Sequence, residues 1–402
     1  MRILLFTGKG GVGKSTVAAG TAARAAAEGH RTLLLSTDGA HSLADAFGVA
    51  GGSEPTEVAP RLSVQQVDAQ LRFQQSWVEV QGYLLSVLDR AGVDAVTAEE
   101  LTVVPGAEEV LALLELRTQA LTGEWDVVVV DCAPTAETLR LLALPEALGW
   151  YVERALPADR RLVRALRPVL TRAAGVPLPA DSVLGALERL HADLVEVQAL
   201  LSGPEASVRL VLTPEQVVVA EARRLHTTLS LFGYRVDGVV ANRVFPAGGS
   251  DDWRAGWVLA QDDVLAGVEE SFAGLPVWRA AYRAQEPVGL EALRGLAEEL
   301  YAGDDPLAAP TGPGPFRITR SSDGAVLRLA LPGATRSEVD LARTADDLVV
   351  TVGSYRRLLT LPTALARLDL VGAGVVDGEL QVRFAGAPAA AVDVPPRRER
   401  TS

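Results

Sequence analysis

The chain has 402 residues, 48% of them apolar and 22% charged, with a formal net charge of −13; that is an ordinary globular composition, long enough for two or three domains. The acidic balance argues against non-specific nucleic-acid binding and against a polybasic membrane anchor. A single cysteine, Cys132, excludes a disulfide framework or a cysteine-rich metal site within one chain, and no apolar run is long enough to span a bilayer.

In chain order, Arg2–Phe6 predicts a short buried strand. The loop after it, Gly8-Lys9-Gly10-Gly11-Val12-Gly13-Lys14-Ser15-Thr16, fits G-x-x-x-x-G-K-[ST]. Ser15–Ala27 predicts an alanine-rich helix, so the loop lies between strand and helix, the context a phosphate loop requires. With that loop starting at Gly8, no leader peptide is expected ahead of it. Of the 38 basic residues two are lysine, which leaves 36 arginines, and both lysines, Lys9 and Lys14, fall in this loop. A compact ammonium is chemically distinct from a guanidinium fork, so a chain that otherwise uses arginine has kept lysine where that difference counts.

The chemistry of the loop follows from its residue types. Gly8, Gly10, Gly11 and Gly13, with the backbone of Val12, let N–H groups wrap a β-phosphate that a Cβ would keep away. The helix N-terminus adds a favourable dipole. Lys14 is expected to hold the β- and γ-phosphates, the Ser15 hydroxyl to bind Mg2+, and Thr16 to reach the α-phosphate. Gly8-x-Gly10-x-x-Gly13, with Asp38 beyond it, also fits a dinucleotide fingerprint. That rival gives no role to Lys9, Lys14 or Ser15.

Thr32–Leu35 predicts a second strand, ending at Ser36-Thr37-Asp38, and Asp126–Val130 a third, ending at Asp131. Arg209–Leu212 and Gly238–Ala241 predict two more. Apolar strands alternating with helices indicate an α/β fold with a parallel sheet covered on both faces. Ligands then bind at the carboxyl ends of the strands, where Asp38, Asp131 and Asn242 stand. Two stretches, about 69–121 and 139–201, read as helical and could together form a subdomain. The arginines of the second, from Arg154 to Arg172, read as a solvated helix face. A Gly-, Asp- and Pro-rich stretch at 302–315 predicts a linker. Short alternating segments follow, Val326–Leu331, Asp340–Arg343, Leu348–Val352, Arg356–Leu361 and Leu380–Phe384, and predict a small all-β sandwich. The expected domains are 1–301, a P-loop domain; 316–386, the sandwich; and 387–402, a tail.

KGGVGKST (9–16) is a deviant Walker A loop with an early second lysine, and the chain resembles the ArsA family of arsenite-pump ATPases and targeting factors for tail-anchored membrane proteins. STDGAHSLADAFG (36–48) resembles the family's switch I and DCAPTAETLRLL (131–142) its switch II. PGAEEVLAL (105–113), VLTPEQVVVAEARR (211–224), VVANRVFP (239–246) and PVWRAAYRAQEPVGLEALRGLA (276–297) also have family counterparts, so the resemblance covers residues 1–300. LALPGATRSEVDL, LVVTVGSYRRLLTLP and DGELQVRF are similar to the α-crystallin-like domain of small heat-shock proteins. Val392-Asp393-Val394 loosely resembles the docking motif in the tails of those proteins.

The resemblance implies a Mg2+-dependent ATPase acting as a homodimer. Lys9 is expected to cross the dimer interface to the partner's phosphates, and Asp38 to orient the attacking water. Asp131 is expected to hold Mg2+ directly or through water, and Asn242 to read adenine. Gly39 and Ala136-Glu137 depart from the family's Pro and Gly-His at those places, so switching is expected to be tuned differently. Without a Cys-x-x-Cys no zinc clamp is expected, and with one cysteine neither a three-thiolate arsenite site nor a bridging iron–sulfur cluster.

Three functions from different classes remain. One is a cytoplasmic chaperone or targeting ATPase for hydrophobic protein clients, which the α-crystallin-like domain favours. Its groove would lack methionine, since Met1 is the only one. The second is the energising subunit of an arsenite or antimonite pump, working with a membrane partner protein. The third is a partition- or septum-positioning ATPase, against which the acidic charge and the β-domain terminus count.

Overall fold

A run of six buried residues, Arg2–Thr7, forms β1 at the centre of an eight-stranded sheet. The structure, a computed structural model, describes residues 1–37, 42–49, 52–67, 107–133, 181–248, 251–321, 324–344 and 346–385. Around β1 stand β2 (Thr32–Ser36), β3 (Thr56–Ala59), β4 (Leu62–Gln66), β5 (Val127–Asp131), β6 (Ala206–Leu212), β7 (Val236–Val244) and β8 (Val277–Ala281), in the order β3-β4-β2-β5-β1-β6-β7-β8. Every pairing is parallel except β3 with β4. β1, β2, β5 and β6 are buried along their whole length, which is why their sequences are mainly apolar rather than alternating, although β6 also buries Ser207 and Arg209. The chain turns from β1 to β2 on one side and later returns to β6 on the other. The reversal in strand order therefore falls beside β1, and so does the crevice at its carboxyl end.

Among the described residues of the first unit the helices are α1 (Lys14–Ala27), α2 (Ser42–Phe47), α3 (Ala107–Thr122), α4 (Asp181–Leu201), α5 (Gln216–Leu231), α6 (Asp252–Ser271) and α7 (Leu290–Tyr301). The alanines of α1 let it lie close to its neighbours. A Cβ on Gly20 would come within 2.8 Å of the Leu293 carbonyl oxygen on α7, and the Thr21 hydroxyl meets the Tyr301 phenol at 2.7 Å. Of the expected helical stretches, α3 and α4 are described. They pack together, and Arg117 bridges them by ion pairs to Asp193 and Glu196. The arginine run from Arg154 to Arg172 lies outside the described residues, as does the 387–402 tail with Val392 and Val394. No helix among the described residues is long and apolar enough to cross a membrane.

Residues 302–314 are held against the first unit by side chains from four of its elements. The Trp278 indole donates to Asp304 Oδ2, Arg24 to the Asp304 carbonyl, Arg209 to the Pro306 carbonyl and Arg235 to the Gly312 carbonyl. Arg2 donates to the carbonyls of Leu307 and Ala308. Composition alone made this stretch a linker; the guanidiniums of the sheet make it a strap. The compact units divide at Gly314 and Pro315.

The second unit is antiparallel. One sheet has the order β14-β15-β10-β9 and the other β11-β12-β13, with β9 Phe316–Ser321, β10 Gly324–Ala330, β11 Val339–Arg343, β12 Asp347–Val352, β13 Tyr355–Thr360, β14 Asp369–Val376 and β15 Glu379–Ala385. Strict alternation along β10 buries Ala325, Leu327 and Leu329, the period-two pattern of a half-buried strand. The sheets meet where the Arg343 guanidinium lies 5.6 Å from the Phe384 ring and donates to the Leu368 and Ala366 carbonyls.

Candidate phosphate-loop site

The loop Gly8–Gly13 joins β1 to α1 and requires glycine at three of its positions, Gly8, Gly11 and Gly13. A Cβ on Gly8 would lie 2.0 Å from the Val211 carbonyl oxygen, because β6 runs directly alongside. Gly11 and Gly13 have φ of 82° and 92°, the left-handed region that glycine enters freely. Gly13 caps α1 without a side chain and the first turn carries no acidic residue. The positive end of the helix dipole therefore stays available to an anion. Lys14 is buried and curls back over the loop, its ammonium 3.4 Å from the Lys9 carbonyl oxygen. Lys9, Gly10 and Gly11 lie toward the outside. The arrangement is a cradle of backbone amides with one ammonium held across it, and it fits a polyphosphate.

The strand ends converge in register. Phe6 on β1 and Ser36 on β2 both stand opposite Asp131, the last residue of β5. Asp131 is fully buried. Its neighbour Cys132 donates its backbone N–H to the Phe6 carbonyl. Burial, and then the Asp131 charge, push the Cys132 thiol well above its ordinary pKa, while Lys14 opposes them. So Cys132 is a protonated packing residue at neutral pH. Asp131 and Lys14 are both near enough to act on that thiol by charge. A carboxylate and a helix-N-terminal serine, Asp131 and Ser15, are the hard oxygen donors that Mg2+ takes, so the residues present fit that ion. Thr16 follows Ser15 in the first turn of α1.

Thr37 is the residue the sequence reading passed over. Its N–H donates to the Asp131 carbonyl at 3.0 Å and its hydroxyl accepts from the Ala133 N–H at 3.1 Å. The backbone just before Asp38 is thereby tied to the backbone leaving β5, so the two segments expected to switch begin from one hydrogen-bonded junction. Only the STD run at 36–38 hinted at it. Asp38 itself, with Gly39, Ala136 and Glu137, lies outside the described residues.

Asn242, on β7, is engaged by the protein. Its Nδ2 donates to the Val12 carbonyl at 2.8 Å and its Oδ1 accepts from the Arg243 N–H at 2.9 Å. A Cβ on Gly13 would come within 2.3 Å of that Nδ2. The amide thus braces the phosphate loop against β7 and holds Arg243 in a left-handed conformation at φ 58°, uncommon for a residue with a side chain. Gln261 on α6 completes the brace, accepting from the Phe245 N–H and donating to the Arg243 carbonyl.

Beside the loop opens a cavity of about 420 Å³. Lys9, Gly10, Gly11 and Val12 form one wall, and Phe245, Trp253, Trp257 and Tyr282 another. Among the described residues no group of three or more His, Cys, Asp and Glu side chains is placed to hold a metal ion.

A family model described as Anion-transporting ATPase, ArsA, matches residues 1–302, and one described as the HSP20-like domain found in ArsA matches residues 322–384. A Chlorobaculum tepidum protein provisionally named arsenical pump-driving ATPase is 35% identical over 388 residues, covering 96% of both chains. An Aquifex aeolicus protein provisionally named arsenical pump-driving ATPase 1 is 31% identical over 393 residues, 95% of this chain and 99% of its own. A Streptomyces coelicolor protein known as SCO2128 is 40% identical over 390 residues, 96% of this chain and 98% of its own.

Proposed function

The chain belongs to the ArsA ATPase family and is an ATP hydrolase, and from that premise we propose a cytoplasmic, Mg2+-dependent homodimer that closes on ATP and opens on hydrolysis to handle a hydrophobic protein client. The observation that carries the client reading is the HSP20-like domain at residues 322–384, since sheet edges of that kind take up extended apolar segments. Support for the catalytic part comes from the glycine cradle, the buried Lys14 and the register that brings Phe6, Ser36 and Asp131 to one level.

Little covalent chemistry falls to the protein in phosphoryl transfer; positioning and charge stabilisation do most of it. The loop amides and Lys14 bind and orient the β- and γ-phosphates. Ser15 and Asp131 would hold Mg2+, which neutralises charge developing on the phosphate oxygens. Asp38 orients the attacking water, and Lys9 reaches the phosphates held by the partner copy. Loss of the γ-phosphate contacts then releases the segments that begin at Thr37 and Ala133. Asp38→Asn is expected to bind ATP as the parent does and to lose about 10²- to 10⁴-fold in turnover. Equilibrium ATP binding beside single-turnover hydrolysis checks this, and undiminished hydrolysis removes Asp38 from its role.

The names of the relatives favour a second reading, the driving subunit of an arsenite or antimonite pump. Soft metalloid capture needs accessible thiolates, whereas Cys132 is the chain's only cysteine, is buried and has its thiol pKa raised. Steady-state ATP turnover with a soluble hydrophobic helical peptide, and separately with antimonite, divides the two. We expect stimulation by the peptide alone. Stimulation by antimonite alone would overturn the client reading.

A further inference from the structure

The parallel strands β2 and β5 leave the sheet side by side, β2 toward Asp38 and β5 toward Ala133. Their paired register ends with Ser36 opposite Asp131. One further backbone bond follows, from the Thr37 N–H to the Asp131 carbonyl at 3.0 Å. In a continuing parallel ladder the next donor, the Ala133 N–H, would go to the Thr37 carbonyl. It goes instead to the Thr37 hydroxyl at 3.1 Å, and that hydroxyl donates in turn to the Asp131 carbonyl at 3.4 Å. A side-chain oxygen thus takes the last rung of the ladder, and the two strands part at a defined residue.

The exit of β5 is also held on its other side. The Cys132 N–H donates to the Phe6 carbonyl at 3.1 Å, and the phosphate loop begins two residues after Phe6, at Gly8. The exit of β2 is held likewise, because the Val67 N–H donates to the Ser36 carbonyl at 3.2 Å. These ties are made by main chain alone. The tie between Thr37 and Ala133 depends on one hydroxyl. Threonine is suited to it, since branching at Cβ restricts χ1 and presents the oxygen in a fixed direction. Thr37 is half-buried, while Asp131 and Ala133 beside it are buried. It stands between two carboxylate residues, bonded to the backbone of Asp131 and followed in the chain by Asp38.

We propose that Thr37 is a positioning residue for ATP hydrolysis: its hydroxyl fixes where the chain leaves β2 relative to the exit of β5, and so keeps Asp38 in step with Asp131. This rests on the roles given above to those two carboxylates, and Thr37 acts through them. A misplacement of about 1 Å costs a positioned reaction about 100-fold. Thr37→Val keeps the branched shape and deletes the hydroxyl, so it is expected to lower kcat by roughly 10- to 100-fold. The glycine cradle and Lys14 are untouched by that change, and ATP affinity is expected to stay within about threefold of the parent. Thr37→Ser returns the hydroxyl and is expected to recover kcat to within about threefold.

The test uses the full chain as parent, Thr37→Val, Thr37→Ala, Thr37→Ser, Asp38→Asn and Thr37→Val/Asp38→Asn. Each is measured for equilibrium ATP binding, for single-turnover hydrolysis with Mg2+ and for amide hydrogen exchange at Ala133. Exchange at Ala133 is expected to quicken in Thr37→Val and Thr37→Ala and to return toward the parent's rate in Thr37→Ser, since that amide has then lost or regained the hydroxyl. Residues that act as a unit have non-additive effects, so Thr37→Val is expected to slow Asp38→Asn by less than about threefold further. A Thr37→Val that hydrolyses within threefold of the parent, a Thr37→Ser that fails to recover, or losses that multiply in the double variant overturn the proposal. Loss of ATP binding in both Thr37→Val and Thr37→Ala overturns it too, by making Thr37 a support of the fold. Asp38→Asn that hydrolyses as the parent does removes the water-orienting role and the proposal with it, whereas a slowed Asp38→Asn beside an unimpaired Thr37→Val removes Thr37 alone.

Discussion

Lys14→Met is expected to lower ATP turnover by at least about 100-fold, the order seen when one preorganised donor to a developing charge is lost, and to weaken ATP binding as well. The structure separates the two parts of this side chain. The stem of Lys14 is buried at the start of α1 and its ammonium lies across the loop at 3.4 Å from the Lys9 carbonyl. Methionine is unbranched and of similar volume, so it keeps the packing and deletes the charge. Lys14→Arg is expected to fare little better. Its planar fork is larger and needs space that a loop closed against Val211 and Asn242 does not have. Phosphate release at saturating ATP, with circular dichroism to confirm folding, measures the effect. Hydrolysis by Lys14→Met within tenfold of the parent would strip Lys14 of its role and leave the chain's restricted use of lysine without a reason.

The pair Lys14→Met and Asp38→Asn is informative because the expected losses differ in kind. The first removes a charge that holds the phosphates before and during transfer. The second removes a group that acts on water alone, so binding survives. Equal loss of binding in both would mean that Asp38 supports the loop rather than the attacking water.

What the sequence made legible tracks how local the physics is. The phosphate loop was readable because glycines, lysines, strand and helix are contiguous, and Gly8, Gly11 and Gly13 are required by close approach or by φ. β1, β2 and β5 were readable as apolar runs because both their faces are covered. β4 was not, since it buries Gln65 and Gln66, and the Gln65 amide nitrogen finds its acceptors far along the chain, in Glu115 on α3 and the Ser53 carbonyl. β14 was missed because Gly372 and Gly374 interrupt its alternation. Asn242 shows the other kind of limit. An amide suits a base and a brace equally well, and only the 2.8 Å bond to Val12, 230 residues away, tells where it is used. The aromatic wall escaped for the same reason, its rings lying 37 positions apart between Phe245 and Tyr282. Nor does anything in the strand pattern announce that Arg2 and Arg209 are buried charges.

Those two arginines carry the largest stability effect expected among the described residues. Asp237, at the start of β7, is their shared carboxylate. It accepts from Arg2 at 3.0 Å and from Arg209 at 3.1 and 2.8 Å, and the side chains of all three are no more than 7% exposed. Two positive charges thus face one negative charge, and the deficit is met by dipoles. Arg209 also donates to the Tyr301 phenol and the Pro306 carbonyl, and lies 4.5 Å from the Trp278 ring. Arg2 donates to the carbonyls of Glu205, Leu307 and Ala308. Burial pulls the Arg2 pKa below its ordinary value although Asp237 opposes it; the guanidinium still remains charged at any pH at which the fold survives. Asp237→Asn therefore strands two buried cations and should cost about 3–5 kcal/mol, lowering the thermal midpoint by roughly 5–15 °C. The exposed pair of Arg31 with Asp126 supplies the control, since Asp126→Asn should leave the midpoint nearly where it was. The loss should also be felt by the nucleotide. Arg2 opens the strand that feeds the phosphate loop, and Tyr301, which Arg209 holds, bonds to Thr21 in the helix that leaves it. ATP bound to the native state adds stability by mass action, so saturating ATP should recover part of the lost midpoint. Calorimetry of parent and variant with and without ATP decides the matter, and a variant that unfolds within 2 °C of the parent, a margin that is roughly 1 kcal/mol or less for a domain of this size, would mean that the strap carbonyls alone suffice to hold both arginines.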